Sequence, residues 1–203
     1  VLVLIALLKC HESLIKPSFA TYLVQSAGMS LSSMGFWYKT IGFWTTLAGG
    51  AACGCALRRF GKRNTLLLLC LLELFASALL GLSCLCTQSY PISLSLLRFL
   101  PLQTLLVLCI TLECFCFGAV TAGVMVLAHS IITPKHAGCQ YATVTSLLAL
   151  LRLALAPVAA LALSNGGWSA FWSVSFVLAA LSAVTMALFT STRHDQTTNI
   201  LLA

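Results

Sequence analysis

Acidic residues are nearly absent from this sequence. Four occur in 203 residues, and charged residues of both signs make up only 7% of the chain. A soluble domain usually carries about 25%, so a water-soluble globule of this length would lack the charge to cover its surface. Polar loops able to carry a cysteine framework are also missing, although ten cysteines are present. Most lie inside apolar runs. Cys53/Cys55, Cys84/Cys86 and Cys114/Cys116 have C-x-C spacing, which on a helix points the two thiols about 200° apart. Such pairs make poor metal forks. The cysteines read as small buried hydrophobes, and neither a disulfide scaffold nor a metal site is expected. No Ser/His/Asp arrangement, H-E-x-x-H or G-x-G-x-x-G stretch occurs, so the expectation is a non-enzyme without a cofactor. There is no charged region ahead of the apolar opening VLVLIAL and no small-residue cleavage site behind it, so a signal peptide fits badly. The chain reads as a piece of something longer.

What is abundant is hydrocarbon. Hydrophobic residues are 60% of the chain and mean hydropathy is +1.03, which predicts an all-α integral membrane protein. A spanning helix needs about 20 mainly apolar residues. Six segments qualify, at roughly 1–25, 35–57, 65–86, 102–132, 139–163 and 168–190, followed by a tail at 191–203. SAGMSLSS, RRFGKRN, TQSYPISLSLLRFLP, TPKHAG and SNGGWS separate them, and their Gly, Pro, Ser and Asn mark turns. Arg58, Arg59, Lys62 and Arg63 fall in the second break, Lys135 in the fourth, and Arg193 after the last span. If all six segments cross, these cations share one side, while the other holds Arg98 and little else. Cytoplasmic loops are the Lys/Arg-rich ones, so both termini of this segment, and the tail, are expected in the cytoplasm. The net charge of +7 is then explained by loops beside lipid, without nucleic acid.

Three of the four acidic residues, Glu12, Glu73 and Glu113, fall inside the apolar segments, with Arg152 near the middle of the fifth. Such groups cost about 2.5–3.5 kcal/mol each if they face lipid, so they normally face the bundle interior, a partner or water. Lys9, Glu12 and Lys16 are spaced i, i+3 and i+7 and share one helical face. Glu12 can reach either lysine. Pro17 follows at once and predicts a kinked or broken helix beside that face, one way of building a site near the midplane of a transporter. The alternative is a charge-compensated helix whose lysines snorkel to the boundaries. Arg152 reads as an anion contact, as a ligand for backbone carbonyls or as a structural partner of Glu113, and Glu113 either as a proton carrier or as the counter-ion of Arg152. Glu73 lies nearer the basic loop and reads as structural. His11, His129 and His136 read as isolated. Small residues are dense at GGAACGCA (49–56), GAVTAG (118–123) and APVAALA (156–162), where helices can approach closely.

GGAACGCALRRFGKRNTLLL joins a small-residue helix end, a short basic turn with glycine and a new apolar run. It resembles the signature loop of the major facilitator superfamily. LLKCHESLIKPSFATYLVQSAGMSLSSMGFWYKTIG resembles the start of the second half of the AmpG muropeptide permease family, with Lys9, Glu12, Gly28, Ser30, Gly35 and Lys39 on the pattern. LECFCFGAVTAGVMVLAHSIITPKHAGCQYATVTSL resembles a later stretch of that family through Glu113, Gly118, Gln140, Tyr141, Ala142 and Ser146. It departs where the family has Asn (here Cys114) and Ala-Thr (here Gly138 and Cys139). In LLRLALAPVAALALSNGGWSAFW, Arg152, Pro157, Gly166, Gly167 and Trp168 sit where the family has similar residues. The likeness runs in order over nearly all the chain.

The resemblance implies the C-terminal six helices of a twelve-helix transporter, with an N-terminal six-helix half as partner. It would lie in the bacterial inner membrane and import anhydro-muropeptides for peptidoglycan recycling, by proton symport and alternating access. Lys9, Lys39, Gln140, Tyr141 and Arg152 are the implied substrate contacts. Glu12 and Glu113 are the implied proton-coupling groups or ion-pair members. Gly50, Arg58, Arg59, Gly61 and Arg63 would form the cytoplasmic gate loop. The alternatives are the same fold with another cargo, a siderophore or acetyl-coenzyme A, and a membrane scaffold with no transport cycle.

Overall fold

The computed structural model describes residues 2–88, 102–130 and 132–201. Arg98 lies outside them, as does most of the break TQSYPISLSLLRFLP. The described backbone is helical between short turns and contains no strand. Helix α1 (Leu2–Thr21) runs into a π-helical turn, Tyr22–Ser26. Helix α2 (Leu31–Phe36) and a second π-helical turn (Trp37–Ile41) lead into α3 (Gly42–Gln88). Helix α4 (Leu102–His129), a 3-10 turn (Pro134–His136) and α5 (Ala137–Leu201) follow. Three stretches are long and apolar enough to cross a membrane: Leu31–Leu85, Gln103–His129 and Ala137–Leu188.

The two longest helices are each two arms joined at a glycine. Gly61 has φ 76° and ψ 167°, and Gly167 has φ 64° and ψ −155°. A side chain is strained in that region of backbone space, and both glycines lie in breaks marked by their sequence, RRFGKRN and SNGGWS. The first turn is closed differently. Gly28 takes φ 68°, the Met29 N–H donates to the Leu23 carbonyl at 3.0 Å, and the Ser30 hydroxyl accepts from the Ser33 N–H at 3.2 Å as the next N-cap. Pro17 does not break α1, whose helical assignment continues to Thr21. The irregularity appears five residues later, as the π turn. Prolines are tolerated inside helices in apolar surroundings when neighbours satisfy the freed carbonyl.

Two apolar clusters form the interior. One gathers Leu14, Ile15, Phe19, Tyr22, Leu80, Leu106, Ile110, Phe171 and Trp172. The other gathers Ile5, Leu8, Cys53, Leu66, Leu69, Val120, Val124, Val144 and Met186. Along α1, residues 9–13 fall between the two sets. Along α3 the interval holds Glu73 and Ser77, and on α4 Glu113 sits at the edge of the first set, beside Cys114. The buried polar residues of the chain include Lys9, His11, Glu12, Ser13, Glu73, Ser77, Glu113 and Ser175. A polar layer is thus interposed between two hydrocarbon layers.

The ends of the bundle differ in chemistry. At one end Lys62, beside the Gly61 turn, lines a cleft of about 660 Å³ with His129, Ser130 and Tyr141, so the two basic breaks lie together. At the other, Tyr22 meets Trp168 and Trp172 edge-on at 5.2 and 5.0 Å between ring centres, and Phe171 also meets both tryptophans edge-on. The outer surface is greasy, with Trp44 66% and Leu153 70% exposed. The arm 137–166 buries little beyond Val144 and Ala159.

Glycine sets the tightest contact. A Cβ at Gly118 would collide with the Thr46 carbonyl oxygen, and one at Gly49 with the Phe115 carbonyl oxygen. Backbones of α3 and α4 therefore touch, and the Thr46 hydroxyl, which also lies 2.8 Å from the Gly42 carbonyl, reaches the Cys114 carbonyl at 3.1 Å. At Gly50 a Cβ would sit in ordinary contact, 3.8 Å from the Gly118 oxygen. Gly118→Ala and Gly49→Ala are each expected to destabilise the bundle by about 1–3 kcal/mol, the usual cost of overpacking, while Gly50→Ala is neutral. Thermal unfolding in detergent checks this, and equal midpoints for all three variants would contradict it.

Candidate functional site: a buried charged layer

Lys9 lies on the innermost stretch of α1 and is 7% exposed. Its Nζ donates to Glu12 Oε2 at 2.5 Å and to Thr121 Oγ1 of α4 at 2.8 Å. Of the two lysines in reach of Glu12, Lys9 takes it. An ammonium has three donors and no acceptor, and two of the three are met by these oxygens. Lys16, two turns further on, is half-buried. Its Nζ lies 3.3 Å from the centre of the Phe117 ring and 5.9 Å from that of Tyr38. Lys9 Nζ is 5.3 Å from the same Phe117 ring. One phenyl ring thus lies within reach of two cations, each contact favourable through the ring quadrupole.

On the other side of α1, His11 turns toward α3. Its Nδ1 is 3.7 Å from Glu73 Oε1, and both side chains are almost fully buried. That separation suits an ion pair and is long for a hydrogen bond. His11 Nε2 and Glu73 Oε2 have no hydrogen-bond partner among the described residues. Glu113 of α4 is 4% exposed and lies within Coulombic reach of His11, Glu73, Lys16 and Glu12. Three helices therefore deliver Lys9, His11, Glu12, Lys16, Glu73 and Glu113 to one layer. From α5 come hydroxyls: Ser175 lies 3.3 Å from Ser77. Among the described residues no group of three His, Cys, Asp or Glu is arranged to hold a metal ion.

The other residues singled out in the sequence lie elsewhere. Lys39 is exposed in the π turn Trp37–Ile41. Gln140 closes the loop before α5, its Oε1 accepting from the Thr133 N–H at 2.7 Å and the Thr133 hydroxyl at 3.3 Å. Tyr141 is exposed, with its hydroxyl on Met125 Sδ at 3.3 Å. Arg152 is exposed on the uncovered arm of α5 and makes no ion pair with Glu113. Arg58, Arg59, Gly61 and Arg63 form the basic turn, with Arg59 5.7 Å over the Phe60 ring, and Gly50 lies apart from it, in the α3/α4 contact beside Gly118. The cysteines whose side chains are described are all free thiols. His11 and Glu73 were not marked as a pair by the sequence: they are 62 positions apart, and no periodicity links separate helices. The one hint was that each is an ionisable residue inside an apolar run.

No protein-family model and no curated protein matches the chain. Fold and site together define an all-helical protein with stretches long and apolar enough to cross a membrane, and with a charged layer buried between two apolar ones. Glu12→Gln leaves the Lys9 ammonium buried with neutral oxygens and no counter-charge. It should destabilise by about 3–5 kcal/mol, whereas the double replacement Lys9→Met with Glu12→Leu costs far less, because no charge is stranded. A double-mutant cycle on thermal stability checks this, and additive losses would contradict it.

Proposed function

We propose that the protein is the C-terminal half of a proton-coupled secondary transporter of the major facilitator type, with six spans whose basic turns face the cytoplasm of a bacterium. Its cargo would be anhydro-muropeptides, taken up for peptidoglycan recycling. The observation that carries this reading is the charged layer. A scaffold has no use for six ionisable groups in its interior, and each is costly there. A carrier needs groups that bind a polar solute and a proton at the centre of the bundle while the apolar layers above and below exclude leakage.

The parts take distinct roles in this reading. Lys16, with Phe117 and Tyr38, offers a cation beside aromatic faces, suited to a solute with a carboxylate and a ring. Lys9, held by Glu12 and Thr121, stiffens that wall. Glu113 is the group poised to exchange a proton. The uncovered arm of α5 carries Arg152 toward the face that a second six-helix half would occupy, where an arginine can meet an anion directly. The tight α3/α4 contact and the Gly61 turn with Arg58, Arg59 and Arg63 act as the latch on the cytoplasmic side. Alternating access then consists of two halves rocking about the layer.

The test is uptake by the full-length protein in proteoliposomes under an imposed proton gradient, with labelled anhydro-muropeptide, siderophore and acetyl-coenzyme A offered in parallel. Gradient-driven entry of the muropeptide alone is expected, and Glu113→Gln and Arg152→Gln should each abolish it while inserting normally. Entry of another cargo would reassign the substrate, and no entry of any cargo would favour the scaffold.

A further inference from the structure

The charged layer contains a pair with no assigned role. His11 and Glu73 face each other across the α1/α3 contact at 3.7 Å, each 2% exposed, and each keeps one polar atom without a partner among the described residues. Buried polar atoms are nearly always satisfied, so two orphans on one pair mark a place where something binds. The charge count says what. Glu12, Glu73 and Glu113 supply three carboxylates, and Lys9 and Lys16 two ammonium groups. With neutral imidazole the layer carries one negative charge that no fixed cation offsets, and one added proton restores balance. A metal cation is a poor alternative, since among the described residues no group of three His, Cys, Asp or Glu is arranged to hold one.

We propose that the His11/Glu73 pair takes up one exchangeable proton, on one of its unpartnered atoms His11 Nε2 and Glu73 Oε2, and that Glu113 is the neighbouring carboxyl through which it leaves or enters. The proton arrives from water and binds the pair, taking the layer from one net negative charge to none. Its departure to a water-facing base restores the negative charge, and no other bond changes. The groups around the pair are Glu12 on α1, the Cys70 thiol on α3, and Glu113 with the Cys116 thiol on α4, while Lys9 and Lys16 lie next to Glu12 and Glu113. From α5 only the hydroxyls of Ser175 and Ser182 are buried nearby, and no described charge. Lys9 is committed to Glu12, which leaves Glu73 and Glu113 as the carboxyls able to accept a proton. The inference rests on the proton-coupled reading above and moves the proton from one carboxyl to an imidazole/carboxylate pair.

Infrared difference spectra of the reconstituted full-length protein, taken between acidic and alkaline buffer, test it without a cargo. A protonated-carboxyl band and an imidazole band should appear together. Glu73→Gln should remove the carboxyl band or transfer it to Glu113, and His11→Gln should shift its midpoint by about tenfold or more in proton concentration. Unchanged spectra in both variants would overturn the proposal. Should the variants fail to fold, dicyclohexylcarbodiimide, which adds to protonated carboxyls in apolar surroundings, can be used on the unaltered protein. Labelling at Glu73 or Glu113 that rises on acidification is expected, and labelling at Glu12 alone, or at none of the three, would overturn the proposal. If the spectra respond as stated but uptake ignores the gradient, the site stands and the transporter reading falls.

Discussion

An ammonium group in an apolar bundle has to be met by a carboxylate, and Lys9 is met by Glu12 at 2.5 Å with Thr121 completing the contact. The bond from Lys9 to Thr121 of α4 sets which way that pair, and with it α1, faces. With Lys9 and Glu12 turned toward α4, the next residues around the helix bring His11 against α3, and Ile5, Leu8, Leu14 and Ile15 into the two apolar clusters. Both residues ride on α1, so a rotation of the helix would carry the buried pair away from Thr121 toward hydrocarbon, where charged groups are costly, and would part His11 from Glu73. The charged layer thereby acts as a register mark for the central helix.

The legible part of this arrangement was local. The i, i+3, i+7 spacing of Lys9, Glu12 and Lys16 placed three charges on one face, and the glycines in RRFGKRN and SNGGWS marked turns because a left-handed residue has few alternatives. The small-residue stretches at 49–56 and 118–123 pointed to close contact, and Gly49 and Gly118 supply it. Pro17 misled, because its missing donor need not break a helix whose neighbours shield it. The resemblance implied Gln140 as a solute contact; in the structure its amide oxygen closes the turn at Thr133. His11 and Glu73 stayed hidden for a different reason: pairing between helices depends on which faces meet, and a single chain's pattern does not encode that.

Hydroxyl and thiol groups do quiet work around the charges. Thr46, Thr65, Thr111 and Ser83 return their hydroxyls to carbonyls of their own helices, which satisfies the donor without adding a polar surface. Since Ser83 donates to the Leu80 carbonyl, its oxygen is free to accept from the Tyr22 hydroxyl at 2.9 Å. An aromatic ring is thereby anchored to α3 just where α1 leaves regular geometry. Cysteines fill the remaining small gaps as apolar side chains.

The contact through Gly49 and Gly118 has a mechanical side. Where peptide groups touch directly, there are no side chains to act as ball bearings, and two helices joined that way behave as a single strut. Flexing in this molecule must then be borne by its slack members: the wide-wound turns on either side of Gly28 and the sparsely packed arm that carries Arg152.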